Sequence, residues 1–243
     1  MCGRYALEHA GVDLAAMLGV ALGSAEDWTP AWNIAPTTAA PVMIRHHDGV
    51  RLDRLGWGFT SVGDQGGWLI NARSETVDRK PSFQDAIRHR RIVIPISGFY
   101  EWARRDGRKL PHAVRSNQEP LLLLAGIWSA FETSTGEAGR GFCILTRAAE
   151  DPIAAIHDRM PVMLDSEAAA AWMSPTSDSV WRSVLDRGPS GGLVVHPVSS
   201  RVNSTAHDTP DLLDEVVPPA PESPGLFDHV ERSGDLESPD KTT

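Results

Sequence analysis

Pro41-Val42-Met43-Ile44-Arg45, His47-Asp48-Gly49 and Val50-Arg51-Leu52-Asp53-Arg54-Leu55 follow one another, two β-prone runs around an Asp-Gly turn. Asp-Gly between such runs favours the tight turn whose twist matches that of paired strands, so this stretch predicts a hairpin. Trp57-Gly58-Phe59 prolongs it, and a glycine-rich connection over 61–67 leads into Trp68-Leu69-Ile70-Asn71.

Outward from the hairpin the same alternation continues. Residues 4–7 read as a first strand, 12–20 as a short helix, and 23–33 as a loop whose Trp28 and Trp32 pack onto the core. Downstream, Ser82 is placed to cap a helix, with Asp85 near its positive end. Residues 91–96 form a strand in which Pro95 signals an edge or a bulge. Phe99-Tyr100-Glu101-Trp102 runs into the Asp106-Gly107 turn and a partner strand over 110–114. Residues 121–128, apolar throughout, read as a strand buried on both faces, and 142–146 as another. Asp151-Pro152 starts a brief helix that puts His157 at its end. A strand over 161–164, helices over 166–173 and 178–185, and a last strand over 193–196 complete the chain. Many strands joined by hairpins, with short helices between them, imply a single α+β domain on a largely antiparallel, barrel-like sheet with peripheral helices.

The 243 residues carry a formal charge of −9, which taken as a whole disfavours an anionic partner. The charge is not evenly spread: residues 208–243 carry −8, leaving −1 for residues 1–207. With Pro218-Pro219-Ala220-Pro221-Glu222-Ser223-Pro224 in it, the segment 218–243 is expected to be an acidic, proline-rich disordered tail after a domain over 2–217. The body is then free to hold a basic patch. No run is long and apolar enough for a membrane span, and no export signal begins the chain, so a cytoplasmic monomer is expected. Two cysteines, Cys2 and Cys143, exclude a disulfide framework, Cys143 lying in the buried-strand run Phe142-Cys143-Ile144-Leu145. Nine scattered histidines without ligand spacing predict no metal, and no cofactor is expected.

Cys2 is either no more than the second residue of the reading frame or, once Met1 is removed, a cysteine with a free α-amine beside its thiol. With an amine near ~7.7–8.0 and a thiol near ~8.5, both nucleophiles are expected to be partly deprotonated at neutral pH. Such a 1,2-aminothiol suits aldehydes, captured first as an imine and then closed by sulfur into a thiazolidine. Three polar residues stand among apolar neighbours. Glu101 is either an inward carboxylate whose neutral form is favoured, fit for general acid–base work, or an outward-facing strand residue. His157 either titrates near neutrality or simply ends a helix. Asn71 either holds a substrate or the N-terminus, or is an ordinary turn residue. Arg4, Arg73, Arg159 and Arg201 lie beside these candidates with guanidinium forks suited to phosphate. Thr146, at a strand end, either bonds a phosphate or caps a turn. Arg88-His89-Arg90-Arg91 and Arg104-Arg105 read as solvated faces, with phosphate contact as the alternative.

Cys2-Gly3-Arg4-Tyr5, Asn33-Ile34-Ala35-Pro36-Thr37, Asn71-Ala72-Arg73-Ser74-Glu75-Thr76, Gly98-Phe99-Tyr100-Glu101-Trp102, Ile156-His157-Asp158-Arg159-Met160-Pro161 and His196-Pro197-Val198-Ser199 together resemble the successive motifs of the SOS response-associated peptidase (SRAP) family. The resemblance covers roughly residues 2–205. It implies a sensor of abasic sites in single-stranded DNA, with Cys2 as nucleophile, Asn71 positioning its amine and the sugar, Glu101 assisting imine formation, and His157 promoting ring opening and later steps including reversal. The implied product is a thiazolidine DNA–protein crosslink. Arg4, Arg73 and Arg159 match positions lining the family's DNA channel, and Pro36 one close to DNA. Relatives commonly carry tryptophan in the loop after the Trp-Gly-Phe-like segment. Here residues 60–67 have none, leaving Val62 or Trp68 to take that place. An N-terminal-cysteine peptidase and a non-covalent DNA-binding module are the alternatives.

Overall fold

In the computed structural model, which describes residues 2–60, 67–105, 107–132, 138–175, 178–185 and 192–217, the opening stretch is a hairpin of β4 and β5. The elements in order are β1 (Tyr5–Leu7), α1 (Gly11–Leu18), β2 (Ala21–Leu22), β3 (Ala31–Ile34), β4 (Ala39–His46), β5 (Gly49–Trp57), β6 (Asn71–Arg73), α2 (Pro81–His89) and β7 (Arg91–Ile96). There follow β8 (Gly98–Arg105), β9 (Arg108–Ser116), β10 (Leu122–Glu132), β11 (Ala138–Ala148), β12 (Arg159–Pro161), β13 (Met163–Leu164), α3 (Ser166–Met173), α4 (Asp178–Leu185) and β14 (Leu193–Pro197). His46 pairs with Gly49, so the turn is His47-Asp48, and Gly49 (φ 140°) opens the returning strand in a conformation that favours glycine.

β11, β10, β7, β4 and β5 pair in sequence, and β5 pairs again with β11 to close a five-stranded barrel. Four of the five junctions are antiparallel. A ring with an odd number of strands cannot alternate throughout, so the closing junction is parallel, at Gly56↔Gly141 and Trp57↔Phe142. Gly141 permits this closure, because a Cβ there would meet the Gly58 carbonyl at 2.0 Å. Trp57 and Phe142 stack at 6.3 Å inside the seam, and Tyr5 leans on Trp57 at 4.9 Å. Fully burying a side chain such as Phe142 contributes about 1.5–3 kcal/mol.

A second, antiparallel sheet runs β14-β9-β8-β1-β3. Its strands alternate between two layers: Tyr5, Leu7, Phe99 and Val114 join the barrel core, whereas Ala6, Tyr100 and Ala113 join Val198, Val202, Leu212 and Leu213 on the other face. The acids Asp208, Asp211, Asp214 and Glu215 thus lie beside a packed 3-10 turn, Pro210–Leu213. The predicted tail, 218–243, lies outside the described residues. Among those described, no helix is long and apolar enough to cross a membrane.

The α+β class and the barrel are as expected, and several local expectations are corrected. Residues 31–33, the end of the stretch read as loop, form β3 together with Ile34, and this strand borrows hydrogen bonds from β1. Ser82 does not cap α2. The N-cap is Lys80, without a side-chain bond, and Pro81 occupies the first turn. Pro95 sits in an interior strand, two residues beyond where β4 stops pairing at Val93. Asp151-Pro152 leads into a single 3-10 turn, Ile153–Ala155. Arg91 is buried, its guanidinium donating to the carbonyls of Ile87, Arg88, Trp172 and Ser174, so the basic run is only partly a solvated face.

Candidate active site

Cys2, Asn71, Glu101 and His157 come from four parts of the chain, and two strands explain how they meet. β11 outruns the barrel: beyond Phe142 its partner changes from β5 to β6, and beyond Ile144 from β10 to β12. β6 starts at Asn71, paired with Ile144, and β12 starts at Arg159, two residues after His157. On the other side, Tyr100 donates its N–H to the Arg4 carbonyl at 2.9 Å, which carries the β1–β8 pairing toward the N-terminus and brings Glu101 alongside the residues before Arg4.

Asn71 Nδ2 donates to the Cys2 carbonyl at 2.8 Å, while its Oδ1 is buried with no hydrogen-bond partner among the described residues. Glu101 is 2% exposed, so of the two readings open to it the inward one holds. Its Oε2 lies 3.9 Å from His157 Nε2. Burial pushes the Glu101 carboxyl above the usual range, and the facing imidazole works against that push. His157 Nδ1 lies 2.9 Å from the Arg159 backbone nitrogen and 3.2 Å from the Arg159 carbonyl, while Nε2 is the ring nitrogen that faces Glu101. The Asp158 carboxylate lies 3.1 Å from Nδ1.

Cys2 is fully buried, which corrects the expectation of a partly ionised thiol. Burial first, and the Glu101 charge second, push it far above an ordinary cysteine. A thiol so placed keeps its proton until a neighbouring group accepts it.

The arginines differ in how firmly they are held. Arg4 donates to Asn33 Oδ1 at 2.7 Å and to the Val202 carbonyl at 3.0 Å. Arg159 grips Glu75 through both carboxylate oxygens, at 2.5 and 2.9 Å, and donates to the Thr146 carbonyl at 2.6 Å. This pairing holds the Glu75 carboxyl below its usual range. Arg73 is exposed beside the pair, Pro36 is half-buried at the end of β3, and Arg201 is tied to Asp211 at 2.5 Å. Thr146 is fully buried, its hydroxyl 3.5 Å from the Ala72 carbonyl and 3.4 Å from Arg159. In this arrangement it supports Arg159 and does not present itself to a phosphate. Trp68 is 46% exposed and meets Phe131 edge-on at 5.4 Å, whereas Val62 lies outside the described residues.

Sequence reasoning passed over four neighbours. Asn33, 6% exposed, orients Arg4 while its Nδ2 donates to the Ser204 and His207 carbonyls at 3.0 and 2.7 Å. Glu75 clamps Arg159. Both stand inside quoted motifs, and that was the available signal. His112 is the cross-strand partner of Glu101, which only register reveals. Tyr5 buries a hydroxyl with no hydrogen-bond partner among the described residues.

Residues 1–205 match the family described as SOS response associated peptidase (SRAP). The chain is 31% identical over 222 residues to abasic site processing protein YoqW of Bacillus subtilis, covering 88% of this chain and 99% of that one. It is 29% identical over 229 residues to abasic site processing protein YedK of Escherichia coli, covering 89% and 100%. The chicken (Gallus gallus) protein HMCES, also an abasic site processing protein, is 28% identical over 228 residues, with 76% of this chain and 66% of that one covered. Among solved structures, a phage-related protein of Bordetella bronchiseptica superposes with a TM-score of 0.68 at 30% identity, covering 81% and 94% of the two chains. A Bacteroides thetaiotaomicron protein with a TM-score of 0.79 at 19% identity, covering 89% and 100%, shares the fold. The chain belongs to the SRAP family.

Proposed function

We propose that this protein captures abasic sites in single-stranded DNA as a thiazolidine crosslink at Cys2, after removal of Met1, with residues 2–217 as the working domain. The observation that carries the reading is the convergence of Asn71, Glu101 and His157 on the Cys2 end of the chain.

An abasic deoxyribose in its open form exposes an aldehyde at C1′. His157, whose Nε2 faces Glu101, serves ring opening by giving a proton to the ring oxygen. The Cys2 amine forms a C–N bond to C1′, held by Asn71, which anchors the Cys2 carbonyl and offers Oδ1 to an amine N–H. Glu101, whose carboxyl burial pushes above the usual range, gives a proton to the departing hydroxyl, which leaves as water and yields the protonated imine. Sγ then bonds to the carbon of the protonated imine while the thiol proton passes to the Glu101 carboxylate, which restores the acid and leaves the ring nitrogen neutral. The ring closes with one water lost overall. Because the aldehyde that acidifies the neighbouring C–H is consumed, β-elimination and strand cleavage are suppressed.

Arg73 and Arg159 supply positive charge for the flanking phosphates, with Arg4 and Pro36 beside them. Trp68, exposed on the barrel, stands in for the aromatic missing from 60–67. The test is to incubate Met1-processed protein with an abasic oligonucleotide and resolve the mixture by denaturing electrophoresis. A shifted covalent band that disappears in Cys2→Ala is expected, and absence of the band in the wild type would overturn the proposal.

A further inference from the structure

The β8–β9 hairpin carries a charge arrangement that nothing in the site described above uses. Arg104 lies directly opposite Lys109, and Arg105 opposite Arg108. All four side chains are exposed. Like charges facing each other across an antiparallel pair repel, so a strand pair under no other demand would not place them so. Of the other arginines near the site, Arg4 is engaged with Asn33, Arg159 with Glu75 and Arg201 with Asp211, while Arg73 is exposed. No ion pair to a carboxylate of a described residue occupies Arg104, Arg105, Arg108 or Lys109.

Location turns this cluster from a solubility feature into a site. A cleft of about 390 Å³ runs between the Trp102–Arg105 edge of β8 and the segment Ala154–Asp158, so it joins the cationic hairpin directly to His157. One carboxylate, Asp158, stands on the far wall, beside the His157 imidazole. The hairpin therefore keeps an excess of positive charge that leads away from the reactive residues along one line.

We propose that the β8–β9 hairpin is a phosphate-binding arm that holds the DNA strand on one side of the lesion, reached through the cleft beside His157. This rests on the reading of the site as one for DNA. The arm selects a phosphodiester backbone rather than a base sequence, because exposed guanidinium and ammonium groups at about 5 Å cross-strand spacing supply charge and forks but no base-edge pattern. Bound phosphates would also relieve the cross-strand repulsion, which couples binding to the stability of the hairpin.

The experiment compares the wild type with the quadruple variant Arg104→Gln, Arg105→Gln, Arg108→Gln, Lys109→Gln. Fluorescence anisotropy is read with labelled abasic oligonucleotides extended on both sides of the lesion or truncated on either one. Salt dependence for single strands scales with about 0.7 per neutralised phosphate contact, so loss of four cations lowers the log–log slope by up to about 2.8. The expected result is weaker binding of the fully extended strand by at least tenfold and a shallower slope. The loss should vanish when one particular side is truncated, and adduct formation at saturating oligonucleotide should be unchanged. Melting of the free variant, at or above the wild-type temperature because repulsion is relieved, shows that it folds. Equal affinity and slope for the two proteins overturns the arm while leaving the crosslinking proposal intact. A wild type that binds no abasic oligonucleotide overturns both, and a loss equal on both truncated strands overturns the one-sided placement.

Discussion

Cys2 and Cys143 are both free, both fully buried and both packed into the same apolar core. Burial alone pushes the thiol of Cys143 upward, and its Sγ contacts the Leu69 carbonyl at 2.6 Å within the barrel wall. The thiol of Cys2 is pushed up by burial and also by the Glu101 carboxylate, with Asn71 bonded to its carbonyl. Identical exposure thus gives an inert side chain in one case and a candidate nucleophile in the other. What separates them is the titratable neighbourhood, since a thiol becomes useful only where a group can take its proton.

The largest effect that sharpens this contrast is expected at Glu101. Glu101→Gln removes the group that accepts the Cys2 proton and should slow adduct formation by about 10²–10⁴-fold in single-turnover gels, a typical general acid–base contribution. An unchanged rate would make Cys2 no better served than Cys143. The same variant has a stability signature. The carboxyl pKa is raised in the folded state, so between the ordinary value and the raised one the folded protein binds more protons than the unfolded chain. Wild-type stability must then fall as pH rises through that window, and Glu101→Gln should not show the fall in denaturant titrations at several pH values.

Next in size is the support of Arg4. Asn33→Ala deletes the acceptor at 2.7 Å and leaves the Ser204 and His207 carbonyls without their donor. A loss of about 2–3 kcal/mol is expected in chemical denaturation, in the range found for stranding buried polar groups. A change below about 0.5 kcal/mol would mean that water replaces the amide and that Arg4 needs no such anchor. The smallest effect is expected at Cys143. Cys143→Ala leaves a void about the size of one methyl group, costs about 1 kcal/mol, and leaves the adduct yield at the wild-type level. If the adduct were lost in Cys143→Ala and kept in Cys2→Ala, the two cysteines would exchange roles.

The hairpin of β4 and β5 was legible because alternation and an Asp-Gly turn are local signals. α3 and α4 were legible for the same reason, each being a short apolar-patterned run bounded by breakers. β3 was not, because Trp32 and Asn33 carry no strand pattern of their own and become a strand only by pairing with β1. Ser82 looked like a cap but sits one residue inside the helix, where Pro81 had already set the first turn. Arg91 looked solvated because charge is usually exposed, yet four backbone carbonyls solvate it in the interior.

At the site, Cys2, Asn71, Glu101 and His157 could be named from residue type and motif alone, whereas the clamp of Arg159 by Glu75 could not, since 84 residues separate the pair. By itself the sequence determined which groups this protein has to offer: a cysteine able to carry an amine beside its thiol, a carboxyl among aromatics, an imidazole, and an α+β chain built from hairpins. Only the tertiary structure decided that the thiol is buried and stays protonated, that Thr146 serves Arg159, and that four cations face one another on an arm beside His157. The physical reason is that proton affinity and charge coupling depend on distance and on exclusion of water. Both are set by which strands close the barrel and which ones run past it.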